Sequence, residues 1–495
     1  MKVYVAATLR TFFQKQDSIE AEGSSVKEVL NSLVRSSPEA KDALFDENGS
    51  LREFIRIFIG TEDFTASEKW DEQIPSGKEL TLLPVIAGGS GLKENGEQEK
   101  TRPELISDER RKAVKLDDKE IDRFSKHLML KEIGVKGQKR FKAARVAVFG
   151  AGALGAPVIQ YLAGAGIGFL RIIDNKEVAL SDLWAQPIHG LRDVNRPRSA
   201  SAKDSIRNID RALETEAVNA EVTAENVTEL IDGCDLVLDC TDQFKSRYLI
   251  NDACAINGIP LIFGAVYQFE GEVMVLNAGD GPCLRCIFPT PPPPGLVPSC
   301  ASGGTISPLP GIVGSIMANE ALKLIAGIGE SLIGRLLTVD SLYLRSSLLT
   351  VHKSGACPIC GRNPTLTELE DFDYEDFCGL KEDENELPVE GIEPEELASR
   401  IERGEPVTIV DVREPHERAI HRFPNAIVIP IGQLARRQKE LDPEIDTIFI
   451  CKEGKRSILA INTLREAGFK GPMYNLKGGI DGAKDIIFSN EGAWL

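Results

Sequence analysis

Residues 145–166, RVAVFGAGALGAPVIQYLAGAG, decide the fold. RVAVF reads as a buried strand, GAGALG as a tight turn and APVIQYLAGAG as a helix. Gly150, Gly152 and Gly155 let the backbone approach a phosphate at the start of that helix. A second strand, FLRIID, ends at Asp174, a position suited to ribose hydroxyls. A third, DLVLDCTD, follows at 235–242. Strands alternating with helices predict a doubly wound, mostly parallel sheet. The turn alone leaves three readings open: an NAD-binding dehydrogenase, an ATP-binding relative, or a glycine turn with no ligand.

The cysteines weigh against the dehydrogenase. Cys283 and Cys286 (CLRC) and Cys357 and Cys360 (CPIC) form two CxxC pairs. Four thiolates in pairs suit a closed tetrahedral Zn2+ site, and four protein ligands leave no position for catalysis. Either pair alone would read equally as buried or redox cysteine.

The chain has 495 residues, 42% of them hydrophobic, enough for several cores. Acidic residues outnumber basic ones 76 to 58, giving −18. That charge disfavours nonspecific binding to nucleic acid and to anionic membranes. MKVYVAATLR reads as a strand with no signal-peptide pattern, and no run reads as a membrane span. Ten cysteines in this length are no disulfide scaffold, so a reducing, cytoplasmic setting is expected.

Two polar joints separate three blocks. Before the first, VYVAATL and FIRIFIG read as strands, and Val26, Val29, Leu30, Leu33 and Val34 mark one helix face. A last strand, ELTLLPVI, runs into AGG. Residues 90–116 read as a flexible charged linker. The second joint, 368–396, is acidic, with aromatics suited to docking on a neighbouring domain. Beyond it, VTIVDVRE and TIFICKEGKRS repeat an α/β pattern, with a helix expected to begin near Ser457.

GAGALG, LVLDCTD, GPCLRC, PPPPGLVPSC and GACPICG together make the middle block resemble the MoeB/ThiF family, relatives of ubiquitin-activating enzymes. The first block, ending in Gly88-Gly89, resembles MoaD/ThiS ubiquitin-like sulfur carriers, and the last resembles a rhodanese. The resemblance implies an α/β architecture of three parts: a β-grasp carrier (1–89), a Rossmann-like adenylating domain with zinc knuckles (117–378) and a small parallel-sheet rhodanese domain (395–495). The linkers are 90–116 and 379–394. The implied chemistry is adenylation of a carrier's terminal Gly-Gly by ATP and Mg2+, then replacement of AMP by sulfur to give a thiocarboxylate. Molybdopterin, thiamine, cysteine and tRNA-thiolation pathways use such a product.

By the same resemblance, Gly150, Gly152, Ala153, Gly155, Asp174, Asp182, Arg198, Asp242 and Gln243 line the nucleotide site, with Asp242 holding metal or nucleotide. Lys126 stands where the family places an arginine, usually from the partner subunit, so a homodimer is expected. Several positions depart from the family. RFSKH has Lys126 for arginine, LSDLWAQ has Asp182 for asparagine and Ala185 for arginine, and NRPR has Arg198 for lysine. Ala153 and Gln243 replace a usual glycine and asparagine. Charge accounting sets these against ATP binding, because Asp182 puts an anion beside the expected triphosphate. Two readings follow: an adenylating sulfurtransferase, or a carrier scaffold with a decayed nucleotide site in which only the rhodanese works.

Two cysteines carry sulfur in this reading. Cys300, after PTPPPPGLVP, is the expected catalytic thiol of the middle domain. Cys451 ends a strand and opens CKEGKRS, whose amides and following helix favour a sulfur anion, with Arg456 adding a cation. A cysteine phosphatase loop has five residues between Cys and Arg. Here there are four, which suits sulfur better than phosphate. Asp411 and Arg413 of DVRE fit the rhodanese pattern, while Ala483 stands where that family usually has tryptophan. Expected partners are a ubiquitin-like sulfur carrier, a sulfur donor such as a cysteine desulfurase, and a protease cutting after Gly89. Gly89 is joined to Ser90 by an amide, which has no carboxylate to activate.

Overall fold

The computed structural model describes residues 1–84, 103–291, 304–378 and 389–487, leaving out within them 6–8, 10–11, 14–15, 17, 39, 47–48, 53–54, 61, 66–68, 76, 371, 414, 419–421 and 424. Gly89 and Cys300 lie outside the described residues. The chain forms two compact units, one spanning Met1–Pro293 with Val297–Leu380, the other Lys381–Leu495 with Pro294–Leu296.

The first unit opens with a five-stranded mixed sheet. It contains β1 (Lys2–Val5), β2 (Ser18–Glu20), β3 (Ile55–Ile59), β4 (Glu62–Asp63) and β5 (Leu80–Pro84), in the order β2-β1-β5-β3-β4. β1 and β5 pair in parallel at its centre. The helix Val26–Ser36 starts at Ser25, whose side chain accepts from the Glu28 amide, and buries Val26, Val29, Leu30 and Leu33.

Eight strands follow in the same unit: β6 (Arg145–Phe149), β7 (Phe169–Ile173), β8 (Glu214–Val218), β9 (Leu236–Asp239), β10 (Leu261–Tyr267), β11 (Glu270–Leu276), β12 (Arg335–Asp340) and β13 (Arg345–Thr350). Their order is β13-β12-β11-β10-β9-β6-β7-β8. β8 through β10 are mutually parallel, and β11 to β13 add antiparallel. From β6 the chain winds outward through β7 and β8, then crosses to β9 on the other side. The strand order therefore reverses between β6 and β9, where an open α/β sheet leaves a crevice at its carboxyl ends. The helix Gly155–Ala165 needs glycine at its start, because a Cβ on Gly155 would stand 1.9 Å from the Gly150 carbonyl oxygen.

Two expectations change here. The helix Pro308–Ala326 is long and apolar enough to cross a membrane by length and composition, contrary to the sequence reading. It instead packs on β10, β11 and the helix Gly155–Ala165, burying Leu309, Val313, Met317 and Leu324. The linker expected over 90–116 is folded from residue 103 onward. Ile106 is 1% exposed in the core, Ser107 caps the helix Asp108–Ala113, and Arg110 holds both carboxylate oxygens of Asp235 and the Ala143 carbonyl. One buried isoleucine and one multiply bonded arginine anchor a stretch whose average composition is polar. The acidic joint docks its first part, as its aromatics predict. Phe372 and Phe377 pack against the guanidinium of Arg285, Tyr374 packs edge-on to Phe372, and the Tyr374 hydroxyl donates to Asp252 at 2.8 Å.

The second unit contains β14 (Glu390–Ile392), β15 (Val407–Asp411), β16 (Ile427–Val428), β17 (Asp446–Ile450) and β18 (Met473–Leu476). All pair in parallel in the order β14-β18-β17-β15-β16. The helix after β17 begins at Lys455, two residues earlier than expected. Ala483 is fully buried, so its small side chain belongs to the packing of this unit.

Candidate active sites

At the β6/β9 reversal the structure opens a cavity of about 400 Å³. Of the residues expected at a nucleotide, it brings together Gly150, Gly152, Ala153, Asp174, Asp182, Arg198, Asp242 and Gln243. Gly155 stands one turn behind them as the helix start. Lys126 is exposed on the helix Ser125–Leu128 and does not line this cavity. Ala185 is buried.

Asp174 is held from two sides. Its Oδ2 accepts from the Ala151 amide at 2.8 Å and its Oδ1 from the Lys176 amide at 2.8 Å, which fixes the glycine turn against the end of β7. Asp182 pairs with Arg198 at 2.6 Å, and Lys176 with Asp242 at 3.3 Å. The charge hazard expected from Asp182 is thus matched inside the chain by Arg198.

The sequence reading missed several groups. Arg247, on the helix Phe244–Ile256, donates to the Thr241 carbonyl at 2.6 Å and lies over the Phe263 ring. Its Nε and Nη1, like Arg198 Nε, are buried without a hydrogen-bond partner among the described residues. Buried cationic donors without acceptors are costly unless an anion meets them. A Cβ on Gly152 would stand 3.6 Å from Arg198 Nη1 and 3.8 Å from Gln186 Nε2, so the turn presents a polar cradle. This donor set fits a polyphosphate. Arg247 follows Gln243 by one helical turn, a spacing that could have flagged it.

His189 ties the cradle to the helix Arg198–Ile206. Its Nε2 stands 3.0 Å from the Ala151 carbonyl and its Nδ1 2.8 Å from Ser201 Oγ. A carbonyl only accepts, so Nε2 carries the proton. Burial pushes the imidazole below its usual pKa, so it stays neutral near pH 7.

The four cysteines of the CxxC pairs converge. Their sulfurs lie within 4.8 Å of one another, with Cys283–Cys357 at 3.4 Å, Cys286–Cys360 at 3.2 Å and Cys283–Cys286 at 3.7 Å. Tetrahedral zinc–thiolate bonds of about 2.3 Å would hold sulfurs roughly 3.8 Å apart. The cluster therefore fits a four-thiolate metal centre.

In the second unit, Cys451 directly follows β17 and is 1% exposed. Its sulfur accepts from the Gly454 amide at 3.1 Å and lies 3.3 Å from Ser457 Oγ. Ile480 N and Asp481 N hold the carbonyls of Cys451 and Lys452. That approach needs Gly479, where a Cβ would stand 2.5 Å from the Lys452 oxygen. Arg413 forks onto buried Asp411 at 3.0 and 2.8 Å. Arg456 forks onto Glu417 at 2.8 and 2.6 Å. The cation expected from Arg456 therefore comes with a matching anion. Ser457 and Glu417 were not read from the sequence, although Ser457 directly follows Arg456 in the first helical turn.

Three known families match the chain in order: the ThiS family over residues 3–89, the ThiF family over 124–359 and the rhodanese-like domain over 393–485. The probable adenylyltransferase/sulfurtransferase MoeZ of Mycobacterium tuberculosis is 40% identical over 376 residues, 74% of this chain and 94% of that protein. The sulfur carrier protein adenylyltransferase of Thermus thermophilus is 45% identical over 267 residues, 53% of this chain and 98% of that protein. A crystal structure of E. coli MccB aligns at 18% identity over 52% of this chain and 77% of its own, with a TM-score of 0.45. With its glycine cradle, four-cysteine cluster and Cys451 loop in place, the chain belongs to the adenylyltransferase/sulfurtransferase family, carrying a ThiS-family domain ahead of its ThiF and rhodanese-like domains.

Proposed function

We propose that the chain activates the C-terminal glycine carboxylate of a ubiquitin-like sulfur carrier with ATP and replaces the AMP with sulfur delivered by Cys451. The observation that carries this reading is the cavity at the β6/β9 reversal, where Arg198 and Arg247 keep buried donors beside the glycine turn.

A carboxylate is a poor electrophile, and adenylation gives it a leaving group. The carrier carboxylate attacks the α-phosphorus, and the bond to the β-phosphate breaks as pyrophosphate leaves. Arg198 and Arg247 are the residues that would stabilise charge on the phosphates, and Asp174 would orient the ribose. Asp242, beside Lys176, is the residue that would hold Mg2+, which would neutralise phosphate charge. The cluster of Cys283, Cys286, Cys357 and Cys360 would hold Zn2+ as a structural tie. In the sulfur step, the outer sulfur of a Cys451 persulfide attacks the acyl carbon and expels AMP, leaving an acyl disulfide. The thiolate of Cys300 then attacks Cys451 Sγ. A Cys300–Cys451 disulfide forms, and the carrier leaves as a thiocarboxylate. A cellular dithiol reduces the disulfide, and a donor such as a cysteine desulfurase reloads Cys451.

The acceptor is either the chain's own first domain, freed by cleavage between Gly89 and Ser90, or a separate carrier. Lys126 lies away from its own chain's cavity and serves the partner's site in a homodimer. Exchange of labelled pyrophosphate into ATP, dependent on a carrier with a free C-terminus, tests the reading. Absent exchange alongside persulfide transfer from Cys451 would leave a scaffold with only its rhodanese working.

A further inference from the structure

We propose that Asp182 sets the nucleotide affinity of the cavity by acting as a resident stand-in for phosphate: its carboxylate holds Arg198 in an ion pair that an incoming phosphate must displace. The proposal rests on the nucleotide reading above and adds to it a control on the same site.

Asp182 Oδ2 accepts from Arg198 Nη2 at 2.6 Å and from the Ala179 amide at 2.8 Å, so the carboxylate is fixed from both sides. Both side chains are largely buried and both line the cavity. The same guanidinium presents Nη1 toward Gly152, while its Nε has no partner among the described residues. One edge of the fork is therefore committed to a carboxylate while the rest faces the glycine turn. The other carboxylates expected to serve nucleotide are matched too. Asp174 is held by two amides, and Asp242 faces Lys176 at 3.3 Å. A guanidinium edge takes one oxyanion at a time, so Asp182 and a phosphate oxygen compete for Arg198.

Asp182→Asn keeps the shape and an acceptor for the Ala179 amide but removes the charge. Calorimetric titration of the full-length protein with ATP and with inorganic tripolyphosphate reads the effect. In Asp182→Asn both ligands bind roughly tenfold tighter, the scale of one charge-assisted hydrogen bond that the phosphate no longer has to displace. Asp182→Ser shifts binding in the same direction. In the Arg198→Met background the gain disappears, because the competition is for that side chain. Unchanged or weaker tripolyphosphate binding in Asp182→Asn overturns the proposal. So does a gain that persists in the Arg198→Met background, which would make Asp182 a general repulsive charge. The adenylating reading fails separately if ATP binds no tighter than tripolyphosphate in every protein tested.

Discussion

The Ser457 hydroxyl stands 3.3 Å from Cys451 Sγ and 3.0 Å from the Gly454 carbonyl oxygen. It has one proton to give, and the stronger acceptor is the sulfur anion once formed. Ser457→Ala should therefore slow alkylation of Cys451 about tenfold at fixed pH, with Ser457→Thr restoring most of the rate. Mass spectrometry resolved to the Cys451 peptide reads it, and an unchanged rate would assign the hydroxyl to the Gly454 carbonyl alone. His189 gives a pH prediction. Its folded pKa lies below the usual histidine value of about 6.5, so the unfolded chain takes up protons first. Its contribution to stability is complete above pH 6.5 and is lost as pH falls through that value toward the folded pKa. Urea midpoints measured across that window should fall with pH, and His189→Gln should flatten the fall.

At the scale of elements, Arg285 is the post around which the acidic segment folds. It forks onto Asp252, Nε to Oδ1 at 3.0 Å and Nη2 to Oδ2 at 2.7 Å, inside a ring of Tyr248, Phe372 and Phe377. Arg285→Met leaves a buried carboxylate uncompensated and should cost about 3–5 kcal/mol. Tyr374→Phe removes one hydrogen bond and should cost about 1–2 kcal/mol. Chemical denaturation of the full-length chain separates the two, and equal small losses would show that water reaches Asp252. The glycine turn, the CxxC pairs and the Cys451 loop are legible in the sequence, because each chemistry demands given residue types at a short spacing. Glu417 and the Asp182–Arg198 pair are not. Each depends on elements meeting in space: Glu417 lies 39 residues from Arg456, and Asp182 lies 16 from Arg198. The folded start at Ile106 is hidden for a related reason, since one apolar anchor does not change the composition of a charged stretch.

For the whole molecule, the homodimer and the cleavage after Gly89 proposed above each make a prediction. Met129 and Leu191 are 78% and 76% exposed, unusual for large apolar side chains, and Val135 and Tyr161 are also exposed. If the proposed homodimer forms through this face, Met129→Glu with Leu191→Glu should shift sedimentation from dimer toward monomer, and an unchanged sedimentation coefficient would rule this face out as the contact. Intact-mass analysis of protein from its native cell should show a fragment ending at Gly89, with a part heavier by the exchange of one oxygen for sulfur. A single full-length mass would assign the acceptor role to a separate carrier.

The buried cysteines have a consequence for sulfur itself. Sulfane sulfur moves to any available thiolate, and this chain has ten cysteines. Burial pushes the thiols of Cys234 and Cys378 to about 11, and those of Cys240 and Cys254 well above their usual value. These four stay protonated near neutrality and make poor acceptors. A metal in the four-cysteine cluster would occupy four more thiolates. Eight side chains are then insulated, leaving Cys451 and Cys300 as the two thiols for the sulfur transfer proposed above. Stripping the metal would add short circuits, and persulfide would accumulate on Cys360, the most accessible of the four.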